Sequence, residues 1–166
     1  MILFLDIDGV LNDHSQMENK YCGTNSKCVS CFNRVLDAIP ECKLVISSAW
    51  RYSILRGELT VKGFELLLLT HGVKCFNRVI DHTEADGPIE EEPCHTSEQD
   101  KWHEAGLKWR ANQIKKWVQE HKPQDWIAVD DLDLNLDPFN FHRTNGGTGL
   151  TQTDADILIL RILDKR

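Results

Sequence analysis

Apolar residues along the chain fall into short blocks, and the spacing inside each block separates strands from helices. Met1–Asp6 reads MILFLD, a run apolar on both faces that ends in a carboxylate. Such a run predicts a central strand of a parallel sheet. Residues 12–27 are polar and irregular and predict a loop. Val29, Phe32, Val35, Leu36 and Ile39 then recur at helical spacing until Pro40 stops the pattern. Lys43–Ser47 (KLVIS) predicts a second strand. Phe64, Leu67 and Leu68 predict a helix with Gly72 beyond it as a cap. Arg78–Asp81 predicts a third strand. Ile114, Trp117 and Val118 mark an amphipathic helix, followed by Pro123 and a fourth strand, Trp126–Val129, that runs into Asp130 and Asp131. Phe141–Thr144 predicts a fifth, edge strand. The last helix is expected over roughly Asp154–Leu163, with Thr151 or Thr153 as its N-cap.

Strands alternating with helices predict an α/β fold: a three-layer, Rossmann-like, mainly parallel sheet with helices on both faces, in a single domain over residues 1–166. Residues 84–106 interrupt the alternation. They are acidic, carry Pro88 and Pro93 and show no clear period, so they read as a long exposed insertion. Following the third strand, this insertion is expected beside Asp6 as a mobile flap over the site.

Composition narrows the function classes. The formal charge of −7 argues against a general nucleic-acid binder, which needs Lys and Arg to neutralise phosphates; it leaves room for a local basic pocket. The apolar runs are far too short for a membrane span. The N-terminus shows no signal-peptide pattern, and six irregularly spaced cysteines read as reduced thiols, so a cytoplasmic location is expected.

Three predicted strands end in reactive side chains: Asp6, Ser47 and the pair Asp130-Asp131. In open α/β sheets, ligands bind beyond the carboxyl ends of the strands. Asp6-Ile7-Asp8-Gly9-Val10-Leu11-Asn12 places two carboxylates at i and i+2 after an apolar strand. One carboxylate can attack phosphorus, and a second can protonate the leaving oxygen and then activate water. The plain alternative is an Asp-rich turn. Val45-Ile46-Ser47-Ser48-Ala49-Trp50-Arg51 offers a hydroxyl for a phosphoryl oxygen, or simply a capping serine. Asp130 and Asp131 repel each other unless a cation neutralises them, and Mg²⁺ prefers a few carboxylates plus phosphate and water. The alternative there is a solvated acidic loop.

In this order, on three strand ends, these motifs resemble the haloacid dehalogenase (HAD) superfamily. Its first motif, Asp-x-Asp-x-[Thr/Val], is matched by Asp6–Val10, its second by Ser47, and its fourth by Asp130 and Asp131. Its third, a Lys or Arg ahead of the last of these strands and usually at a helix start, is matched by Arg110, with Lys108 as the alternative. LDIDGVLN, CVSCFNRVLD, VISSAWR, the acidic pair and Gly149-Leu150-Thr151 further resemble a small HAD subgroup found alone and as a module of RNA-repair proteins. The resemblance spans most of the chain except residues 13–25 and 84–106.

The resemblance implies a Mg²⁺-dependent phosphatase. Asp6 would be the nucleophile and Asp8 the general acid/base. Mg²⁺ would be held by the Asp6 carboxylate, the Asp8 main-chain carbonyl and Asp131. Asp130 would be a further ligand or would orient a water, and Ser47 and Arg110 would hold the phosphoryl group. Ser48, Trp50, Arg51 and Lys108 are candidate substrate contacts, and Arg51 equally suits a structural pairing with an acid. Neither inter-motif gap leaves room for a full cap domain. The implied partner is a phosphorylated small molecule or a nucleic-acid end. The competing class is a non-catalytic HAD-fold module that binds a phosphorylated partner. The intact Asp6, Asp8, Ser47 and Asp131 set argues against it. Cys28-x-x-Cys31 has zinc-pair spacing, but no second close pair completes a site. Trp117 and Trp126 read as core residues.

Overall fold

A computed structural model describes residues 1–13, 23–84 and 99–165, the side chains of 99–108 excepted. Five parallel strands form one sheet: β1 (Ile2–Leu5), β2 (Lys43–Ile46), β3 (Val79–His82), β4 (Trp126–Asp130) and β5 (Phe141–Arg143), in the order β3-β2-β1-β4-β5. The helices are α1 (Ser26–Ala38), α2 (Tyr52–Leu55), α3 (Val61–Thr70), α4 (Gln99–His121) and α5 (Gln152–Leu163). Among the described residues, no helix is long and apolar enough to cross a membrane.

The two-residue period of a strand divides the sheet into two faces. Leu3, Leu5, Leu44, Ile46, Ile127 and Val129 pack on one face against Phe32 and Leu36 of α1, Phe64 and Leu68 of α3, and Leu158 and Ile162 of α5. Phe4, Val45 and Ala128 pack on the other against Ala111, Ile114 and Trp117 of α4. Each fully buried Leu, Ile or Phe contributes about 1.5–3 kcal/mol relative to exposure. Both faces of β1, β2 and β4 are therefore covered, which explains their unbroken apolar runs. The three-layer arrangement read from the sequence is the arrangement found.

Local signals set the helix ends. The Asn25 side chain accepts the Lys27 N–H at the start of α1, and the Thr60 side chain accepts the Gly63 N–H at the start of α3. Of the two threonines considered for α5, Thr151 is the N-cap: its hydroxyl accepts the Asp154 N–H, and the Asp154 carboxylate accepts the Thr151 N–H in return.

One boundary differs. Residues 99–106, expected within the insertion, are the opening turns of α4. Gln99, Lys101, Glu104 and Ala105 there favour helix. Among the described side chains, the apolar stripe that betrays a helix begins at Ala111 and Ile114, where α4 meets the sheet. Arg110 therefore lies in mid-helix and does not open it. The rest of the expected flap, residues 85–98, lies outside the described residues, as do Cys22 and Cys94. Cys28, Cys31, Cys42 and Cys75 are free thiols.

Candidate active site

The ladder of parallel hydrogen bonds runs one residue past the strand ends. The Asp6 N–H donates to Val129 O, the Ser47 N–H to Leu5 O, the Thr83 N–H to Ile46 O and the Thr144 N–H to Asp130 O. Asp6, Ser47 and Asp130 thus share the parity of Phe4, Val45 and Ala128, and stand on the face that α4 covers. On α4, Arg110 lies four and seven residues before Ile114 and Trp117, on the same helical stripe. Its Nη1 donates to Asp6 Oδ2 and to Asp130 Oδ2, each at 2.8 Å. The Lys108 side chain, the alternative, is outside the described ones.

Two of the three carboxylates, Asp6 and Asp130, are buried, and Asp131 is partly exposed. Asp6 is 2 % and Asp130 1 % exposed. Asp6, Asp130 and Asp131 each offer an oxygen within 4.8 Å of the others. Ligands on opposite sides of an octahedral Mg²⁺ at about 2.1 Å each lie about 4.2 Å apart, so the three can converge on one ion after small shifts. Among the described residues, Asp6 Oδ1 is buried without a hydrogen-bond partner, and so is Ser47 Oγ. An unpaired buried acceptor is costly, and a hard cation or a phosphoryl group would relieve that cost. The donor set therefore fits Mg²⁺.

Charge reinforces this. Burial, then the charge on Asp6, pushes the Asp130 carboxyl up from its ordinary value, with Arg110 opposing. Burial works against the Arg110 guanidinium, but Asp6, Asp130 and Asp131 outweigh it and move its pKa higher still, so it stays charged.

Asp8 stands apart from this cluster. Its Oδ1 accepts from Asn12 Nδ2 at 2.9 Å and its Oδ2 from the Trp50 indole Nε1 at 3.0 Å. Burial raises the Asp8 carboxyl, against the lowering bond from Asn12; the nearby Asp6 charge raises it further.

The loops behind these residues are clasped together. Gly9 has φ +72°, and a Cβ there would lie 2.5 Å from Asp131 Cγ. The first-motif turn thus lies directly against the acidic pair, which only a glycine permits. The Thr144 hydroxyl donates to Gly9 O at 2.8 Å, and the Leu150 N–H donates to Val10 O at 2.8 Å. Gly149 has φ +65°, and a Cβ there would meet Cys28 Sγ at 2.5 Å and Asn12 O at 2.6 Å. The Gly149-Leu150-Thr151 segment is a brace for the first motif that then caps α5.

The remaining expected substrate contacts look elsewhere. Arg51 is 4 % exposed. It donates to the carbonyls of Ser47, Ser48 and Thr83 and to Gln113 Oε1. Those bonds fix the loop after β2, and among the described residues no acid pairs with Arg51. Ser48 is fully buried and its Oγ accepts the Trp50 N–H. Trp50 directs its N–H at Asp8. Trp117 is 6 % exposed and Trp126 is packed on the α4-side core. Asn12, Thr144 and Gly149 went without a role in the sequence reading, although Asn12 and Gly149 lie inside the recognised motifs.

The family model described as the HAD domain in Swiss Army Knife RNA repair proteins matches residues 2–155. No curated protein and no solved structure matches the chain.

Proposed function

Because the chain belongs to the family of HAD domains in Swiss Army Knife RNA repair proteins, we propose that it is a phosphomonoester hydrolase acting through an aspartyl-phosphate on Asp6, with Mg²⁺ as cofactor. The observation that carries the reading is the placement of Asp6. It is buried at the end of the central strand, with one oxygen paired to Arg110 and the other without a partner among the described residues, beside Asp130 and Asp131.

Asp6, Asp130, Asp131 and the Asp8 main-chain carbonyl would hold the ion. When bound, Mg²⁺ supplies positive charge that lowers the repulsion between an anionic nucleophile and an anionic phosphate. The side chains do the rest, since phosphoryl transfer is mainly positioning and charge neutralisation. A carboxylate oxygen of Asp6 bonds to phosphorus as the ester P–O bond breaks, and Asp8 gives its proton to the departing oxygen. Ser47 Oγ and Arg110 hold the equatorial oxygens. Asp8, now a carboxylate, takes a proton from water as that water attacks phosphorus. The acyl-phosphate bond breaks, and phosphate and Asp6 are released. Asp8 ends protonated, as it began. The raised Asp8 carboxyl suits a group that must carry a proton in one half and accept one in the other.

The family's RNA-repair setting favours a phosphorylated polynucleotide end as substrate, although the net charge of −7 works against long nucleic-acid contacts. The test is a phosphate-release screen with Mg²⁺ across phosphorylated oligonucleotides, mononucleotides and sugar phosphates. Release from oligonucleotide ends above the other classes supports the full reading. Release from small substrates alone keeps the chemistry and rejects the polynucleotide end. Binding without release in every class points to the non-catalytic module.

A further inference from the structure

Asp8 receives one hydrogen bond on each oxygen, from two different loops. Asn12 belongs to the turn after β1 and Trp50 to the turn after β2. Each donor is itself fixed. Asn12 is 2 % exposed; its Oδ1 accepts the Gly9 N–H at 2.9 Å, and its Nδ2 donates also to Gly23 O at 3.1 Å. The Trp50 main chain is pinned by Ser48, whose Oγ accepts its N–H at 3.3 Å, and by Ser53, whose Oγ donates to its carbonyl at 2.9 Å. The Trp50 ring meets the His71 ring edge-on at 6.2 Å.

A carboxyl group bonded through one oxygen still turns about its terminal torsion, which is broad. Fixed donors on both oxygens set the plane of the group. Each oxygen has two lone pairs, so one site per oxygen stays available for a proton or a substrate. The Trp50 indole N–H is a donor only and neither takes nor supplies the transferred proton.

We propose that Trp50 and Asn12 are positioning residues that fix the plane of the Asp8 carboxyl and so aim its proton at the oxygen leaving phosphorus. The inference rests on the phosphatase reading above. It gives Trp50 a task different from stacking on a substrate. It also has a chemical signature. A nitrophenolate leaves without protonation, whereas an alkoxide leaves only as the alcohol. Misaiming Asp8 therefore harms an alkyl phosphate far more than a nitrophenyl phosphate.

The experiment compares kcat/KM for nitrophenyl phosphate and an alkyl phosphate in wild type, Trp50→Phe, Asn12→Asp and Asp8→Asn. Trp50→Phe keeps the ring and removes the donor. Asn12→Asp keeps the acceptor for Gly9 and removes the donor to Asp8. Both should lose about ten- to a hundredfold on the alkyl substrate and less than about threefold on the nitrophenyl substrate, as expected of lost alignment. The Trp50 indole N–H resonance, assigned by its loss in Trp50→Phe, should move in Asp8→Asn. Equal losses on both substrates, no loss on either, or an indole resonance indifferent to Asp8→Asn overturn the proposal. If wild type turns over neither substrate nor any in the phosphate-release screen, the phosphatase reading fails first and takes the proposal with it. Indifferent variants of an active enzyme overturn the proposal alone.

Discussion

Arg110 and Asp6, 104 residues apart in sequence, are joined by a 2.8 Å charge-assisted hydrogen bond between α4 and the end of β1. The same Arg110 nitrogen reaches Asp130 at 2.8 Å. One guanidinium thus balances two buried acids across the two central strands. Removing one partner of such a group leaves charge buried and unpaired, at a cost of about 3–5 kcal/mol.

Arg110→Met should therefore lower thermal stability in metal-free buffer, and Mg²⁺ should restore more of the midpoint in the variant than it adds to wild type. Turnover should fall by roughly 10²–10³, the usual effect of losing a donor aimed at developing charge. Thermal unfolding with and without Mg²⁺ checks the first part. An unchanged midpoint would show that Asp6 and Asp130 do not depend on Arg110.

Gly9→Ala should impair the metal site without touching a ligand. The new Cβ would lie 2.5 Å from Asp131 Cγ on a backbone with φ +72°, so either the turn or Asp131 must move. We expect an activity loss that added Mg²⁺ partly recovers, read as a shifted Mg²⁺ dependence of phosphate release. A wild-type Mg²⁺ curve would mean that Asp131 is not needed where it stands.

Asp131→Ala should raise the Mg²⁺ concentration required for half-maximal activity. It should also shrink the thermal stabilisation by Mg²⁺, which follows RT ln(1 + [Mg²⁺]/Kd). Retention of the full Mg²⁺ shift would remove Asp131 from the ligand set.

Much of this was legible in the sequence because the fold is written in periods. The apolar runs at Leu3–Leu5 and Ile127–Val129 have no polar face, so they are central, and a parallel sheet brings their carboxyl ends together. Asp6, Ser47 and Asp130 followed from that alone. Asp8 was legible as a second carboxylate two residues after Asp6, and the family motif proposed Arg110, which the Ile114–Trp117 stripe of α4 then places over the carboxylates. The early turns of α4 were missed because a helix segment without an apolar stripe leaves only propensity to read. The bonding of Arg51 was not legible for a different reason. Its bonds to the carbonyls of Ser47, Ser48 and Thr83 depend on how two loops meet, and a single sequence does not reveal that.

Acid sensitivity should include a contribution from Glu65, far from the active site. Its side chain is fully buried; Oε2 accepts the Arg78 and Val79 N–H groups at 3.0 and 3.1 Å, and Oε1 pairs with Lys62 Nζ. Burial favours the neutral form, but the Lys62 bond and the backbone donors prevail and hold the carboxyl below its ordinary 4.5. A folded value below the unfolded one stabilises the protein above the unfolded pKa, and that stability is lost as pH falls through the folded value. Glu65→Gln should therefore destabilise by roughly 1–3 kcal/mol near neutral pH and by less in acid. Urea midpoints at about pH 7 and about pH 3 measure the difference. An equal deficit at both would show that the Glu65 charge carries no stability.

The central claim is that Asp6 is a nucleophile served by Mg²⁺, and the most direct measurement is phosphate release by wild type and Asp6→Asn across the three substrate classes, with Mg²⁺ and with chelator. The account predicts release by wild type in at least one class, its loss in chelator, and no detectable turnover by Asp6→Asn. The variant should unfold as cooperatively as wild type, since an amide fits where the carboxylate stood. Wild-type rates in Asp6→Asn, or full activity in chelator, would contradict it.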